Sequence, residues 1–326
     1  MLEYILIFLI AAVISMLCTP LAVKLAFKIG AIDVPNDERR VHSKPIPRLG
    51  GIAIYFGAVI SIIIILPFSK EWAGVLIGGT LILITGVMDD MYKLSPKRKL
   101  ICQTVGAMVL YFFGIRINFI GTPFSEGYVF FPEVISFIVT IIWVVGITNT
   151  INLIDGLDGL AAGVAAIASV SLAYIAYMNQ RPDVALFTLA IAGSAVGFLP
   201  YNFNPAKIFM GDGGSLFLGF MLSAVSVIGP MKGAAAIATV IPVLVLGLPI
   251  FDTAFAILRR MYRGKPIMEA DKGHLHHRIL STGMDQKRTV IILYTLSAIL
   301  GVAAALVNNN MLAYGSILIV LTFALI

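Results

Sequence analysis

Two amides and two carboxylates lie close together between two long apolar segments, in the run from Asn149 to Gly159. If the segment is helical, a spacing of three places Asn149 and Asn152 on one face, and it does the same for Asp155 and Asp158. Polar groups at the end of a membrane helix are costly unless they bind something. A helix cap and a turn account for only one aspartate and one glycine, so the run predicts a binding or catalytic site.

A second candidate is the adjacent pair Asp89 and Asp90, which ends another apolar segment with no polar spacer. Neighbouring carboxylates repel each other, so such a pair usually holds a cation or shares a proton. A solvated loop start is the alternative, but the direct junction with the apolar run favours function. Lys97, Arg98 and Lys99 follow, either as orientation charges or as phosphate contacts.

A third polar segment contains Phe209 and Asp212, and glycines flank the aspartate directly. Asp212 is suited to cap the helix that follows. It is equally suited to ligate a metal, where the glycines would let a diphosphate approach closely. Phe209 is either core packing or a platform on which a base stacks, and the sequence leaves these alternatives open.

Near the N-terminus, residues 41–51 combine two prolines and a double glycine with the basic residues Lys44 and Arg48. Prolines and glycines fix the backbone path at a helix start. Positive charges at a membrane surface suit an anionic headgroup, but they also orient membrane proteins. Function and orientation are equally good explanations of this segment.

Three of the four histidines lie within four residues, at His274, His276 and His277, and Arg278 follows them. A histidine cluster suggests zinc, but no cysteine accompanies this one. Histidine together with arginine also suits diphosphate binding or proton handling. We therefore rank phosphate chemistry above structural zinc, and a simple surface charge third.

The segments that carry these residues have the composition of membrane helices. Hydrophobic residues make up 59% of the 326 residues and charged residues 12%, with a mean hydropathy of +0.98, whereas soluble domains have about 25% charged residues. Length and apolar character predict an all-α integral membrane protein of about eleven spans, in a single domain over residues 1–326. The predicted spans are 3–27, 48–66, 72–88, 100–115, 134–148, 160–178, 184–199, 214–229, 234–256, 289–306 and 311–326.

Lysine and arginine predict the orientation. The connections alternate between polar ones and brief ones. The brief ones hold four basic residues, so nineteen of the 23 lie in the polar connections or at their edges. The polar connections, with all five candidate segments, should therefore face the cytoplasm, with the N-terminus outside and the C-terminus inside. The net charge of +6 follows this topology and does not argue for nucleic acid. The four exceptions are Lys70, Arg116, Arg181 and Lys232.

Taken together, these segments resemble the polyprenyl-phosphate N-acetylhexosamine-1-phosphate transferase family. The closer likeness is to its bacterial branch, which uses UDP-N-acetylglucosamine and undecaprenyl phosphate. The resemblance covers nearly the whole chain and has five motifs in the family's order. The strongest match is NTINLIDGLDG, followed by FMGDGGS and HLHHR.

The resemblance implies a multi-pass enzyme of the bacterial cytoplasmic membrane. It would transfer N-acetylglucosamine 1-phosphate from UDP-N-acetylglucosamine to undecaprenyl phosphate and release UMP, as the first membrane step of a surface polysaccharide such as teichoic acid or O-antigen. Mg²⁺ is the implied cofactor, with Mn²⁺ as a substitute, and a homodimer is left open. Because two anions must meet, a cation and basic groups must offset their repulsion.

The resemblance also implies a role for each candidate residue. Asp212 and Asn152 match metal-site positions. Asp89 matches a group that orients the lipid phosphate or accepts its proton, and Asp90 supports it or the metal. The catalytic candidates are Asp89, Asp90, His274, His276 and His277, and the substrate-binding candidates are Lys44, Arg48, Asn149, Asp155, Asp158, Phe209 and Arg278.

Two positions depart from the family pattern. Lys93 stands where many bacterial relatives have a third aspartate, and this resembles the phospho-N-acetylmuramoyl-pentapeptide transferase branch, which is the alternative function. The sequence HLHHR argues against that branch. Gly213 and Gly214 replace the Thr-Gly of many relatives, which we expect to be tolerated.

A secondary transporter is the distant alternative. Transporter sites lie near the bilayer midplane, often with broken helices and inverted repeats. Here the acids lie at the ends of apolar segments on one side, and the sequence shows no repeat. The pattern therefore argues against transport.

Overall fold

The structure is a computed structural model that describes residues 1–34, 45–121, 127–228, 235–264 and 273–325. These ranges contain thirteen helices and two short antiparallel strand pairs, so the all-α class is confirmed. The strands are β1 (Ile32–Asp33) with β2 (Ile46–Pro47), and β3 (Phe119–Gly121) with β4 (Tyr128–Phe130). The helices are α1 (Leu2–Ile29), α2 (Gly50–Ile65), α3 (Lys70–Tyr92), α4 (Pro96–Phe112), α5 (Glu133–Ile154), α6 (Leu160–Met178), α7 (Pro182–Asn202), α8 (Gly211–Ile228), α9 (Ala235–Val245), α10 (Gly247–Tyr262), α11 (Leu275–Ser281), α12 (Gln286–Asn308) and α13 (Leu312–Leu325).

The protein is a multi-pass membrane protein. Among the described residues, seven helices are long and apolar enough to cross a bilayer, namely α1, α3, α5, α6, α7, α8 and α12. The shorter apolar helices α2 and α13 also coincide with predicted spans. The count of eleven spans and the orientation stay predictions.

The ninth predicted span, 234–256, is wrong as a single helix. It consists of α9 and α10, which meet at Leu246. Pro249 has no N–H to donate to the carbonyl four residues earlier, so a continuous helix would lose that hydrogen bond. The polar connection after it, predicted as a loop over 257–288, contains the last part of α10 and the short helix α11.

Several helices extend into the segments that were expected to be polar loops. α3 continues through Asp89 and Asp90, and α5 continues to Ile154. Asn149 and Asn152 therefore lie one turn apart on a helix, as their spacing indicated. The expectation of a shared helix face is wrong for Asp155 and Asp158, because residues 155–159 form a turn between α5 and α6.

Close packing of glycines fixes the start of α8, the helix that carries Asp212. A Cβ added at Gly51 of α2 would lie 2.5 Å from the Cα of Gly214, and one at Gly86 of α3 would lie 2.5 Å from the carbonyl carbon of Asp212. Such distances exclude any side chain at these two positions. The start of α8 is therefore held between α2 and α3 with backbone against backbone.

The polar segments meet at one end of the helix bundle. We call it the site end; it contains the ends of α3, α5 and α7 and the starts of α4, α6, α8 and α12. The start of α3, the end of α4, the α6–α7 connection and the end of α8 lie at the other end, which we call the opposite end.

Candidate active site

A cavity of about 720 Å³ lies at the site end. Four of the five candidate segments contribute to its wall, although they are far apart in the sequence. Seven predicted site residues line it: Arg48, Asp90, Asn152, Asp155, Asp158, Phe209 and Asp212. The structure therefore brings seven of the fourteen residues that sequence reasoning selected to one cavity.

Asp89, Lys99 and Asp212 form an ion cluster that joins three helices. The Lys99 ammonium donates to Asp89 Oδ2 at 3.1 Å and to Asp212 Oδ2 at 2.7 Å. Hydrogen bonds between ionised groups are the stronger kind in proteins. One positive charge thus lies between two carboxylates, which leaves the cluster with excess negative charge. Lys97, Arg98 and Lys99 were expected to be either orientation charges or phosphate contacts. Because Lys99 bonds two carboxylates of the candidate site, the structure favours a function in the site for this residue.

Asp90 has different partners from Asp89. Its two carboxylate oxygens accept hydrogen bonds from the backbone N–H groups of Asp212 and Gly213, both at 3.0 Å. These N–H groups belong to the first turn of α8, where helices have unpaired donors and favour negative charge. This geometry gives the two carboxylates separate partners and does not support the interpretation of Asp89 and Asp90 as one cation-holding or proton-sharing pair. Asp90 supports Asp212 by fixing the start of its helix.

The oxygens around the ion cluster fit a magnesium ion. Asn152 donates to Asp212 Oδ1 at 3.2 Å and to Ser215 Oγ at 2.8 Å, which orients its amide beside the carboxylate. No group of three or more acidic, histidine or cysteine ligands occurs in the described part of the chain. Mg²⁺ is commonly held by one or two carboxylates, with waters and substrate phosphates completing the shell. Asp212, Asp89 and Asn152 meet that requirement.

Asn149 lies one turn before Asn152 but does not line the cavity. Its side chain exchanges hydrogen bonds with Gln103 of α4, with Gln103 Nε2 donating to Asn149 Oδ1 at 3.1 Å. Asn149 also donates to the Val145 carbonyl at 2.8 Å. The structure therefore places Asn149 in a contact between α4 and α5, which does not support its predicted contact with a substrate.

The two aspartates of the turn after α5 have different surroundings. Asp158 Oδ2 accepts hydrogen bonds from Asn204 Nδ2 at 2.9 Å and from the Ala206 N–H at 3.0 Å, so it ties the turn to the α7–α8 connection. Asp155 has no such bond among the described residues. Burial raises the pKa of Asp155 to about 8, and the nearby charges of Asp212 and Asp90 act in the same direction. Asp155 is thus the carboxyl of this wall that remains available to a ligand.

The histidine segment is anchored by Asp252, a residue that sequence reasoning missed. His274 Nδ1 lies 2.8 Å from Asp252 Oδ2, and the Leu275 N–H donates to Asp252 Oδ1 at 2.7 Å. Both groups are buried, which makes the carboxylate an unusual member of an apolar helix. The sequence did contain a sign of this function, because Asp252 is a charged residue inside a predicted span. Such residues usually have a functional partner.

His276 connects this segment to the cavity wall. A Cβ added at Gly156 would lie 2.5 Å from His276 Nε2, so the ring packs directly on the turn after α5. Burial, assisted by the neighbouring His277, lowers the pKa of His276 to about 4, which keeps the ring neutral at pH 7. His277 and Arg278 are exposed. Of the histidine segment, His276 is the residue that the structure brings closest to the predicted site.

Other residues of the cavity wall had no predicted role. Lys207 adds a second basic side chain to the wall besides Arg48, and Gln286 accepts a hydrogen bond from Asn204 at 2.8 Å. The sequence contained little indication of these two residues, since isolated polar residues in connections are common.

Lys44, a predicted substrate contact, lies outside the described residues. Lys93 ends α3 with a φ of 52° and is exposed, so the position of the missing third aspartate does not line the cavity.

Comparison with known proteins agrees with this geometry. Residues 72–230 match the model of glycosyl transferase family 4. The probable undecaprenyl-phosphate N-acetylglucosaminyl 1-phosphate transferase of Bacillus subtilis (strain 168) is 38% identical, over 95% of this chain and 86% of the relative. The chain belongs to glycosyl transferase family 4. It is a glycosyl-1-phosphate transferase of a bacterial cytoplasmic membrane.

Other members of glycosyl transferase family 4 are also similar over most of their length. The decaprenyl-phosphate N-acetylglucosaminephosphotransferase of Mycolicibacterium smegmatis is 35% identical, over 93% of this chain and 82% of the relative. The undecaprenyl-phosphate alpha-N-acetylglucosaminyl 1-phosphate transferase of Yersinia pestis is 26% identical, over 85% of this chain and 77% of the relative. These relatives favour the N-acetylglucosamine branch over the muramoyl-pentapeptide alternative, and membership of a transferase family sets the transporter aside.

Proposed function

We propose that this enzyme transfers N-acetylglucosamine 1-phosphate from UDP-N-acetylglucosamine to undecaprenyl phosphate, as the first membrane step in the synthesis of a surface polysaccharide. A phosphate oxygen of the lipid attacks the β-phosphorus of the nucleotide sugar. The bond from that phosphorus to the oxygen bridging to the α-phosphate breaks, and UMP leaves with the electron pair. The observation that carries the proposal is the cavity at the end of a membrane bundle in which Asp212, Asn152 and Arg48 meet.

Basic side chains of the cavity wall reduce the repulsion between the two anionic substrates. Arg48 and Lys207 lie on different parts of the wall, and Lys99 lies at the ion cluster. Phosphoryl transfer depends mainly on positioning and charge neutralisation. Asp89, which is held by Lys99, is the group we assign to orienting the lipid phosphate. The site end then faces the cytoplasm, as the distribution of lysine and arginine indicates.

Mg²⁺ is the cofactor that we assign to this site, with Mn²⁺ as a substitute. Asp212 and Asn152 would hold it, with Asp89 close by, because Lys99 bonds both carboxylates and the Asn152 amide lies against Asp212 Oδ1. When bound, the ion would neutralise the diphosphate of the nucleotide sugar.

The uridine would bind at the wall formed by Asp155 and Phe209. At pH 7 a carboxyl with a pKa of about 8 is mostly protonated. Such a group can donate a hydrogen bond to a uracil carbonyl and accept one from the uracil N3–H. Phe209 is half-buried at the cavity and has a ring on which the base can stack.

A donor screen tests the proposed function. Purified protein in detergent receives undecaprenyl phosphate and Mg²⁺, together with UDP-N-acetylglucosamine, UDP-N-acetylgalactosamine or the muramoyl-pentapeptide nucleotide, and UMP is measured. We expect release from UDP-N-acetylglucosamine, its loss with EDTA, and its recovery with Mg²⁺ or Mn²⁺. Asp212→Asn should abolish release, whereas Glu133→Gln in the first turn of α5 at the opposite end should not. No release from any of the three donors would refute the proposal.

A further inference from the structure

A second cavity, of about 530 Å³, lies at the opposite end of the bundle. It lies between the α2–α3 connection, the end of α4, the α6–α7 connection and the end of α8, so it is distinct from the candidate active site. Its volume is within the usual range of small-molecule sites. Among the described residues, the charged, amide and aromatic side chains that line it are Glu71, Trp72, Arg116, Asn118, Arg181 and Asp183.

Basic residues are concentrated at this cavity although they are rare on this side of the chain. The brief connections hold four lysines and arginines, and two of these four, Arg116 and Arg181, line the same cavity. Arg181 has a structural explanation. It donates to both oxygens of Asp183, at 3.3 Å and 3.2 Å, and to the Ile228 carbonyl at 3.3 Å.

Arg116 has no comparable explanation. Its guanidinium carbon lies 5.7 Å from the ring centroid of Tyr111, and its side chain forms no ion pair with the described residues. Asn118 is a second available donor, because its Oδ1 accepts from Ser136 Oγ at 3.0 Å while its Nδ2 has no partner within the described ranges. An arginine and an amide that both line one cavity provide the donors that a phosphate group requires.

The remaining residues that line this cavity indicate which kind of phosphate compound it can bind. Trp72 is buried and stacks on Phe187 with ring centroids 4.3 Å apart, which gives the cavity a rigid apolar side. Among the described residues, two acidic and two basic side chains line it, and their formal charges cancel. A purely anionic ligand would leave Glu71 unpaired and repelled, whereas a zwitterion pairs with both Arg116 and Glu71.

We propose that this cavity binds the headgroup of a zwitterionic phospholipid from the leaflet opposite the active site. The phosphate contacts Arg116 and Asn118, and the ammonium of an ethanolamine headgroup contacts Glu71. Helices long and apolar enough to span a membrane surround the cavity, and its tryptophan and arginines are residues that favour the interface between hydrocarbon and water. The acyl chains would remain in the bilayer beside the cavity.

Native mass spectrometry of the purified protein tests this binding. The protein in detergent is titrated separately with phosphatidylethanolamine, phosphatidylglycerol, diacylglycerol and free phosphoethanolamine. We expect one phosphatidylethanolamine to be retained in preference to the other three. Equal retention of phosphatidylglycerol would contradict the zwitterionic assignment, and equal retention of free phosphoethanolamine would show a site for a soluble ligand instead.

Variants locate the bound lipid. Arg116→Gln should reduce phosphatidylethanolamine retention at least fivefold, and Glu71→Gln should remove the preference over phosphatidylglycerol. Lys70→Gln is the matched control, because Lys70 is a basic residue on the same side that does not line the cavity. If Arg116→Gln fails to fold, Asn118→Ala provides the milder change, with a smaller loss of retention. Retention unchanged in the variants that fold would overturn the proposal. UMP release should stay normal in all of them, so failure here is distinguishable from failure of the transferase assignment.

Discussion

At the opposite end of the bundle, Arg181 and Asp183 lie two residues apart and bond each other through two N–H groups. At the site end, Asp212 and its partner Lys99 are 113 residues apart, and Lys99 also bonds Asp89. The charges of Arg181 and Asp183 neutralise each other within the α6–α7 connection, and Arg181 also ties this connection to the end of α8. The second cluster exists only after three helices have packed, and one ammonium serves two carboxylates.

The difference shows how charge is used in the two regions. A bidentate pair of neighbours needs nothing further, and it stabilises the fold by a modest amount because both side chains remain partly exposed. A cluster with more carboxylates than cations costs folding free energy and has a use for an added cation. The same reasoning identifies Arg116, a cation without a carboxylate partner among the described residues, as the feature of the opposite end that is available to an anionic ligand.

The largest expected effect is that of Lys99→Met. Removing the ammonium takes away the hydrogen bonds that hold the side chains of Asp89 and Asp212 in place, so the phosphate-orienting geometry should be lost. We expect kcat to fall by about 100-fold or more, as for other groups that stabilise charge in a reacting site. UMP release at saturating substrates measures this.

Arg181→Met is the matched control for Lys99→Met, because it removes a similar cation from the opposite end. It should lower the thermal unfolding temperature while leaving kcat close to that of the unchanged enzyme. If both variants lost activity equally, the two ends would not differ in the way that the geometry indicates.

The next largest effect concerns Gly214, where a Cβ would lie 2.8 Å from the Cα of Gly51. Gly214→Ala should displace the start of α8 from α2 and, with it, Asp212. Small displacements of reacting groups lower rates strongly, so we expect a loss of between about 10- and 100-fold in kcat, measured as UMP release.

Gly213→Thr is the comparison for that variant. A Cβ at Gly213 would lie 3.1 Å from Val87 Cγ2, which is the end of a side chain that can adjust. This variant should keep most of its activity, in agreement with the expectation that Gly-Gly and Thr-Gly are interchangeable here. Greater damage from Gly213→Thr than from Gly214→Ala would contradict the packing argument.

Much of this architecture was predictable from the sequence, because apolar length defines helices that must satisfy their own backbone hydrogen bonds. The break between α9 and α10 was missed because Pro249 lies inside an apolar run, where hydropathy gives no sign of it. The gathering of Asp155, Asn152 and Asp212 at one cavity was predictable, because alternating spans return the chain to the same side.

The separate functions of Asp89 and Asp90 could not be predicted from the sequence. Neighbours on a helix point about 100° apart, and which one meets Lys99 depends on how α3, α4 and α8 pack. The pairing of Asn149 with Gln103 was hidden for the same reason, since the partner lies 46 residues away on another helix. Sequence patterns gave the residue types of the site, while helix packing gave each residue its partner.

A smaller effect is expected from Asp252→Asn. The amide still accepts the Leu275 N–H, but it loses the charge that faces His274 Nδ1. The imidazole is then less firmly oriented, and outer partners of this kind typically change activity by about tenfold or more. We expect UMP release to fall by about tenfold, while the expression level of the protein stays normal. Asp285→Asn, at the start of α12, is the control because that carboxylate caps an exposed helix end and, among the described residues, contacts only Arg288 of the same helix. Equal losses in the two variants would argue against a specific function of Asp252.

A pH dependence of stability, rather than a loss of rate, is expected from Asp155 at the site end. Its pKa is about 8 in the folded protein and near the ordinary value of 3.8 in the unfolded chain. Between these values the folded state binds the proton and the unfolded state does not, so the free energy of unfolding should fall as pH rises from about 4 to 8 and level off above that.

Asp155→Asn removes this titration, so the thermal unfolding temperature of the variant in detergent should fall less between pH 5 and pH 8. Glu133→Gln at the opposite end should retain the dependence of the unchanged protein. Parallel curves for Asp155→Asn and the unchanged protein would show that Asp155 is already ionised in the folded state, and the uracil contact assigned to its protonated form would then be wrong.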